Sequence, residues 1–370
     1  MMQIYNNYYM DGNNEDDEID DSLYSIELDN DDDTANLNDT KADEIVSKLI
    51  EYIGYADRND ISYTPQTICN YNNVQHLEIV NVGIKNILKL PSNIRRLTLD
   101  DNRLTHISPD IIPDSLSYID IKNNLLVDMG FIKENVKFVN ISGNYITEIS
   151  CRYTSNLTKL DVSNNQIESL INMPVCENLK YFNIANNEIT DIDMLDEKTP
   201  DLVYLDVSEC KIRTINFLPK ILTILIMKDG VLEKIECEFP ESLRSVDFMD
   251  NYIDTVPKLH IKLHKVNLEN NCLESMVEYN ETITELNVMN NVNLHFTDEE
   301  KNEIDEINRK YNCIKIKTDF NNVNSDPNTN LQNMTLQDRM NMFHRMNVFN
   351  ISRRNTGLGE RIIHKNTYDM

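Results

Sequence analysis

The chain has 370 residues, 40% of them apolar, and a formal net charge of −27. This length and apolar content suffice for one large folded unit with tails. The acidic balance disfavours nucleic acid as a partner, because neutralising phosphates requires clustered Lys and Arg, and it makes a protein partner of basic character electrostatically easier.

The N-terminal residues 1–40 contain thirteen Asp or Glu and no Lys or Arg. Such a segment has too little apolar surface to fold, so we predict an acidic, disordered arm. The chain starts without a basic and apolar leader, and no run approaches about 18 apolar residues, so we expect neither a signal peptide nor a membrane span. These features predict an intracellular, cytoplasmic protein.

Residues 41–73 are predicted to form an N-terminal cap around a helix over 43–54. Apolar residues recur on one helical face up to Gly54, at Ile45, Val46, Leu49, Ile50 and Ile53. The same stretch, residues 43–55, is the only place where an adaptor motif that recruits a ubiquitin ligase would fit.

A repeated pattern, LxxLxLxxNxL, fills residues 74–296. We count eleven copies, numbered 1 to 11, at steps of 20 to 23 residues, and the first residue of each copy is position 1. Clear copies are IRRLTLDDNRL (residues 94–104), LTKLDVSNNQI (157–167), LKYFNIANNEI (179–189) and LHKVNLENNCL (263–273). Positions 4 and 6 are apolar and flank a polar residue, which predicts a short strand with one buried face.

This pattern resembles the leucine-rich repeat family, and the resemblance covers about 60% of the chain. It implies an α/β solenoid, curved and right-handed, with a parallel β-sheet on the concave face and helical caps at both ends. The short units resemble those of bacterial effectors and of phosphatase regulators, and similar proteins occur in giant viruses. Because each unit leaves only about ten residues for the outer side, and Pro91, Pro113, Pro219 and Pro240 precede new units, we predict an extended or 3₁₀ convex side.

Position 9 is predicted to form a structural ladder, because an Asn side chain can both donate to and accept from buried backbone groups. Its members are Asn102, Asn124, Asn144, Asn165, Asn187, Cys210, Asn251, Asn271 and Asn291. Val82 and Gly230 cannot supply these bonds, so we predict that the ladder is interrupted in repeats 1 and 8, where water or a bend has to compensate.

Residues 297–318 are predicted to close the solenoid with a helix, opened by the capping box TDEE, and an edge strand. Ile304, Ile307 and Tyr311 are expected to face inward. The remaining residues, 319–370, form a linker and a basic tail in which Leu336, Met340, Phe343 and Met346 recur at helical spacing. We expect this tail to dock into a partner's groove or onto the protein's own acidic surface, or else to be a frayed end with chance periodicity.

Catalytic and cofactor motifs are missing from the sequence. It contains no GxxxxGK[ST], GxGxxG, HExxH or GxSxG, and the seven cysteines are scattered without CxxC pairs. We therefore predict neither an enzyme nor a cofactor or metal site.

Function is predicted to reside on the concave face, where positions 3, 5 and 7 point outward. Position 3 offers Tyr118, Phe138, Lys159, Tyr181 and Tyr204, and position 5 offers Asp120, Asp161 and Asp206. Aromatic anchors beside carboxylates are typical of surfaces that bind a basic protein. The alternative is that Tyr at position 3 reflects strand propensity alone.

The sequence thus predicts a monomeric, non-catalytic module that binds a protein partner on the concave face. One alternative is an adaptor or regulatory subunit that recruits a ubiquitin ligase or a phosphatase through a terminal segment. The other is a passive structural protein, for example of a virion.

Overall fold

The computed structural model describes residues 76–319 apart from 82, 84, 88, 89, 91, 153, 280–282 and 311–315. The acidic arm (1–40), the N-terminal cap (41–73) and the basic tail from residue 320 onward lie outside the described residues. So do Val82, where an interruption of the ladder is predicted, and Tyr311 of the predicted C-terminal cap.

The alternating pattern of each repeat produces a three-residue strand whose middle residue is buried. In chain order the strands are β1 His76–Glu78, β2 Arg96–Thr98, β3 Tyr118–Asp120, β4 Phe138–Asn140, β5 Lys159–Asp161, β6 Tyr181–Asn183, β7 Tyr204–Asp206, β8 Thr214–Ile215, β9 Ile224–Ile226, β10 Lys234–Ile235, β11 Ser245–Asp247, β12 Lys265–Asn267, β13 Glu285–Asn287 and β14 Ile316–Lys317. The two-residue strands β8, β10 and β14 lie outside this pattern.

Twelve of these strands form one parallel sheet in the order β1-β2-β3-β4-β5-β6-β7-β9-β11-β12-β13-β14. Neighbouring strands pair at equivalent repeat positions, as where Leu160 of β5 lies opposite Phe182 of β6. The predicted parallel-sheet solenoid is therefore confirmed.

The core is the column of apolar side chains inside the coil. In repeat 5, Leu157, Leu160, Val162 and Ile167 are all fully buried. One repeat cannot cover such a row alone, so each depends on its neighbours for burial.

The outer side of the coil consists mainly of turns. The carbonyls of Pro113, Pro219 and Pro240 accept hydrogen bonds from the N–H groups three residues later, at 3.2, 3.1 and 2.9 Å. A 3₁₀ helix spans Pro109–Ile111, and a short α-helix, α1, spans Leu195–Lys198.

The asparagines of position 9 bind the backbone of their own repeat and of the preceding one. Asn187 Nδ2 donates to the carbonyls of Val162, Ile184 and Ala185 at 3.0, 2.9 and 3.2 Å. Its Oδ1 accepts the N–H of Ile167 at 2.9 Å. The members that accept the N–H of position 11 in the preceding repeat in this way are Asn124, Asn144, Asn165, Asn187, Asn251, Asn271 and Asn291. Asn102 donates to the carbonyl of Ile79 at 2.8 Å.

The ladder weakens in repeats 7 and 8. Cys210 Sγ donates to the carbonyl of Ile184 at 3.5 Å, which is a weak thiol bond, and Gly230 has no side chain. A second, two-stranded sheet joins these two repeats on the outer side, where Thr214 pairs with Lys234 and Ile215 with Ile235. The sequence does not predict this sheet, which ties the repeats together where the ladder has no amide.

Position 8 has a left-handed backbone in every repeat. Its residues are Asn81, Asp101, Asn123, Gly143, Asn164, Asn186, Glu209, Asp229, Asp250, Asn270 and Asn290. Gly, Asn and Asp tolerate this conformation best. Glu209, with φ of 55°, is the one residue at position 8 of these repeats that is not Gly, Asn or Asp.

The helix α2, Asp298–Lys310, follows the last repeat. Thr297 N–H donates to Glu300 Oε2 at 2.7 Å, and Glu300 N–H donates to Thr297 Oγ1 at 3.2 Å, which is a reciprocal capping box. Ile304 is fully buried, whereas Ile307 is half-buried. Asn308 binds the backbone of Ile316 in β14, so the helix holds the edge strand against the sheet.

Candidate protein-binding surface

The position-3 side chains of repeats 2 to 7 form one continuous column on the concave face. The parallel register places the members opposite one another in the order Arg96, Tyr118, Phe138, Lys159, Tyr181 and Tyr204. Because adjacent strands lie about 4.8 Å apart, flat side chains on neighbouring strands can stack. We call this set the aromatic–cation column.

The rings in this column contact one another through their faces. Tyr118 and Phe138 stack with centroids 4.1 Å apart, and Tyr181 and Tyr204 stack at 4.4 Å. Arg96 lies 4.7 Å from the Tyr118 centroid, and Lys159 Nζ lies 4.1 Å from that of Tyr181 and 5.3 Å from that of Phe138. The faces of Tyr118, Phe138 and Tyr181 are therefore covered by neighbouring side chains, and their edges remain exposed.

These contacts order the side chains of the column. Each aromatic pair contributes about 0.5 to 1.5 kcal/mol beyond its buried area, and each cation–π contact about 0.5 to 1 kcal/mol. Side chains ordered in this way lose little conformational entropy on binding.

The carboxylates of position 5 bind within the protein itself. Asp161 Oδ1 accepts from the N–H and the Oγ of Ser163 at 3.0 and 2.7 Å, and its Oδ2 accepts from Asn183 Nδ2 at 3.1 Å. Asp206 accepts the same two bonds from Ser208, and burial raises the pKa of its carboxyl. This row thus stabilises the turns after the strands.

The surroundings of Asp120 disfavour its ionised form more strongly than those of Asp206 do. Tyr118 Oη donates to its Oδ2 at 3.4 Å, but its buried Oδ1 has no hydrogen bond of normal geometry within the described part of the chain. Burial, followed by the neighbouring Asp100, raises the pKa of Asp120 to about 7. Burial and Asp120 likewise raise the pKa of Tyr118 to about 12. Lys122 Nζ forms its ion pair with Asp100, at 3.1 Å.

Replacing Asp120 by Asn is expected to stabilise the protein more at pH 8 than at pH 5. The folded-state pKa of Asp120 lies above its ordinary value, so the wild type loses stability as this carboxyl ionises between about pH 4 and pH 7. Asn cannot ionise, and Asn already occupies the equivalent position in Asn140 and Asn183.

Urea unfolding of both proteins at the two pH values measures this difference, with Asp161→Asn as the matched control. If replacing Asp120 changed stability equally at pH 5 and pH 8, the raised pKa of Asp120 would be contradicted.

Sequence reasoning missed a set of cations at position 2. Arg95, Lys137 and Lys180 are exposed and alternate with Ser117 and Thr158. The hydroxyls of Ser117 and Thr158 donate to the carbonyls of Arg95 and Lys137 at 3.2 and 3.0 Å. The alternation of basic residues with Ser or Thr is visible in the sequence and could have revealed the row.

The buried cysteines are protonated thiols. Burial raises the pKa of the Cys176 and Cys210 thiols to about 12, so neither is a thiolate at neutral pH. The described part of the chain holds no group of three or more His, Cys, Asp or Glu arranged for a metal ion. No helix within residues 76–319, as far as these are described, is long and apolar enough to cross a membrane.

Comparisons with known proteins agree on the architecture. The family model described as Leucine Rich repeats (2 copies) matches residues 177–220, and the model Leucine Rich Repeat matches residues 156–176. No curated protein matches the chain significantly in sequence.

Two solved structures of YopM resemble the fold. YopM from Yersinia enterocolitica WA-314 has a TM-score of 0.51 and 20% identity, over 70% of this chain and 61% of that one. YopM from Yersinia pestis, described as a leucine-rich effector protein, has a TM-score of 0.50 and 19% identity, over 68% and 78%. This chain thus spans less than two thirds of the first of them, and at these identities the likeness concerns the fold alone.

Proposed function

Because the chain is a leucine-rich repeat protein, we propose that it is a non-catalytic module that captures a protein partner on its concave face through the aromatic–cation column. The stack from Arg96 to Tyr204 is the observation that carries the proposal. Ordered aromatic side chains of this kind commonly anchor protein interfaces.

The proposal also concerns the charge of the partner, which the whole chain and the concave face influence in opposite directions. The net charge of −27 favours a basic partner at long range. On the concave face, however, Asp161 and Asp206 accept hydrogen bonds from the protein itself, whereas the exposed charges there include Arg95, Lys137 and Lys180. The local surface therefore favours acidic groups on the segment that makes contact.

Replacing Tyr181 and Tyr204 together by Ala is expected to abolish capture of the partner, because it removes one of the two stacked ring pairs of the aromatic–cation column. Affinity capture from the native cell, compared by quantitative mass spectrometry with the wild type, measures the loss. The matched control is Ile171→Ala with Phe217→Ala, two side chains outside the sheet that are 65% and 61% exposed.

Capture of the same proteins by the Tyr181 and Tyr204 variant and by the wild type would refute the proposal. Truncation of residues 1–70 or 320–370 tests the adaptor alternative, under which only an enzymatic partner is lost. The intracellular location, the monomeric state and a role in a virion stay predictions.

A further inference from the structure

Five cations lie along the side of the concave sheet where its strands begin. Arg95, Lys137 and Lys180 occupy position 2, and Arg96 and Lys159 occupy position 3 of the neighbouring column. We call this set the cation ridge. Among the described residues, none of the five forms an ion pair with a carboxylate. In so acidic a chain, five neighbouring cations without an ion pair form a distinct surface.

Two carboxylates of position 5, beside the ridge, already accept hydrogen bonds from the protein itself. Asp161 has hydrogen-bond donors on both oxygens, and Asp206 binds Ser208. The field of the ridge also acts on its neighbours, because the pKa of His76 in β1 is lowered by burial and then by Arg96 and Arg95. The charges of Arg95 and Arg96 therefore reach the neighbouring strand β1.

We infer that the concave face takes an extended acidic segment of the protein partner, whose carboxylates pair with the cation ridge. This inference rests on the proposed function and specifies the chemistry of its partner. Ion pairs of this kind across an interface fix orientation and speed association.

The spacing of the ridge suits a peptide. Cations at position 2 occur on alternate strands, so they lie about 10 Å apart. A polyproline II segment advances about 9 Å in three residues, so acids at every third residue would match the row.

A single-stranded nucleic acid also carries negative charge, but the aromatic–cation column disfavours it as a ligand. Proteins bind its bases by stacking them on open aromatic faces. Here the faces of Tyr118 and Phe138 contact each other, and Arg96 and Lys159 lie on their outer sides. A peptide needs no open ring face.

The test measures fluorescence anisotropy with the full chain and a labelled peptide of about twelve residues in polyproline II form, with Glu at every third position. The ridge variant is Arg95→Gln, Lys137→Gln and Lys180→Gln. The matched control is Arg103→Gln, Arg152→Gln and Lys234→Gln, three exposed cations away from the ridge. A Lys peptide of the same length and a thymidine oligonucleotide serve as competing probes.

We expect the Glu peptide to bind, the ridge variant to lose on the order of tenfold in affinity, and the control variant to bind like the wild type. Absence of binding by the Glu peptide, tighter binding of the Lys peptide or the oligonucleotide, or equal loss in both variants would overturn the inference. If the Glu peptide fails while capture from the cell still depends on Tyr181 and Tyr204, the inference is wrong and the proposed function stands.

Discussion

Replacing Asn187 by Ala is expected to lower the free energy of unfolding by about 3 to 5 kcal/mol. The change removes the donor to three carbonyls and the acceptor for the N–H of Ile167. Asn187 is 4% exposed, so water cannot replace these bonds without opening the coil. Chemical denaturation followed by circular dichroism measures the loss.

The control is Asn172→Ala, which removes an exposed amide that donates to Glu148 Oε2 at 2.8 Å. It is expected to change stability by less than about 0.5 kcal/mol. Similar effects of the two substitutions would show that the Asn ladder contributes little to stability.

Replacing Phe182 by Ala is expected to cost about 3 to 5 kcal/mol, because it leaves a cavity between stacked repeats. The ring is fully buried and lies in register between Leu160 and Leu205. Thermal and chemical unfolding of the variant measure the effect.

The matched control for Phe182 is Phe217→Ala, which removes the same ring from a position that is 61% exposed. It is expected to change stability by less than about 0.5 kcal/mol. An equal loss at both positions would contradict the cavity argument.

The fold is predictable because the repeat specifies it many times over. The alternation around Leu160 and Val162 predicts a strand with one buried face, and both side chains are fully buried. Sequence reasoning missed the left-handed backbone of position 8, although Asn, Asp or Gly stands there in all repeats except at Glu209. The pairing of β8 with β10 depends on contacts between repeats 7 and 8, which no single repeat encodes.

The candidate site is predictable in its members but not in their arrangement. Position 3 alone identifies Tyr118 and Phe138, whereas the stacking of their faces depends on rotamers. Likewise the sequence shows that Asp161 is acidic, but not that its carboxylate already accepts hydrogen bonds from Ser163 and Asn183. These details decide which charged groups stay available on the concave face.

The missing side chain at Gly230 has a consequence for how the solenoid comes apart. In a linear array each repeat is stabilised mainly by its neighbours, so unfolding divides at the weakest junction. Between repeats 7 and 8 the internal amide bonds are replaced by the outer pair of Thr214–Ile215 with Lys234–Ile235, where Lys234 is exposed to water. This junction therefore lacks a position-9 amide, and the whole aromatic–cation column lies on one side of it. We therefore expect repeats 8 to 11 to unfold before the stacked rings of repeats 3 to 7 come apart.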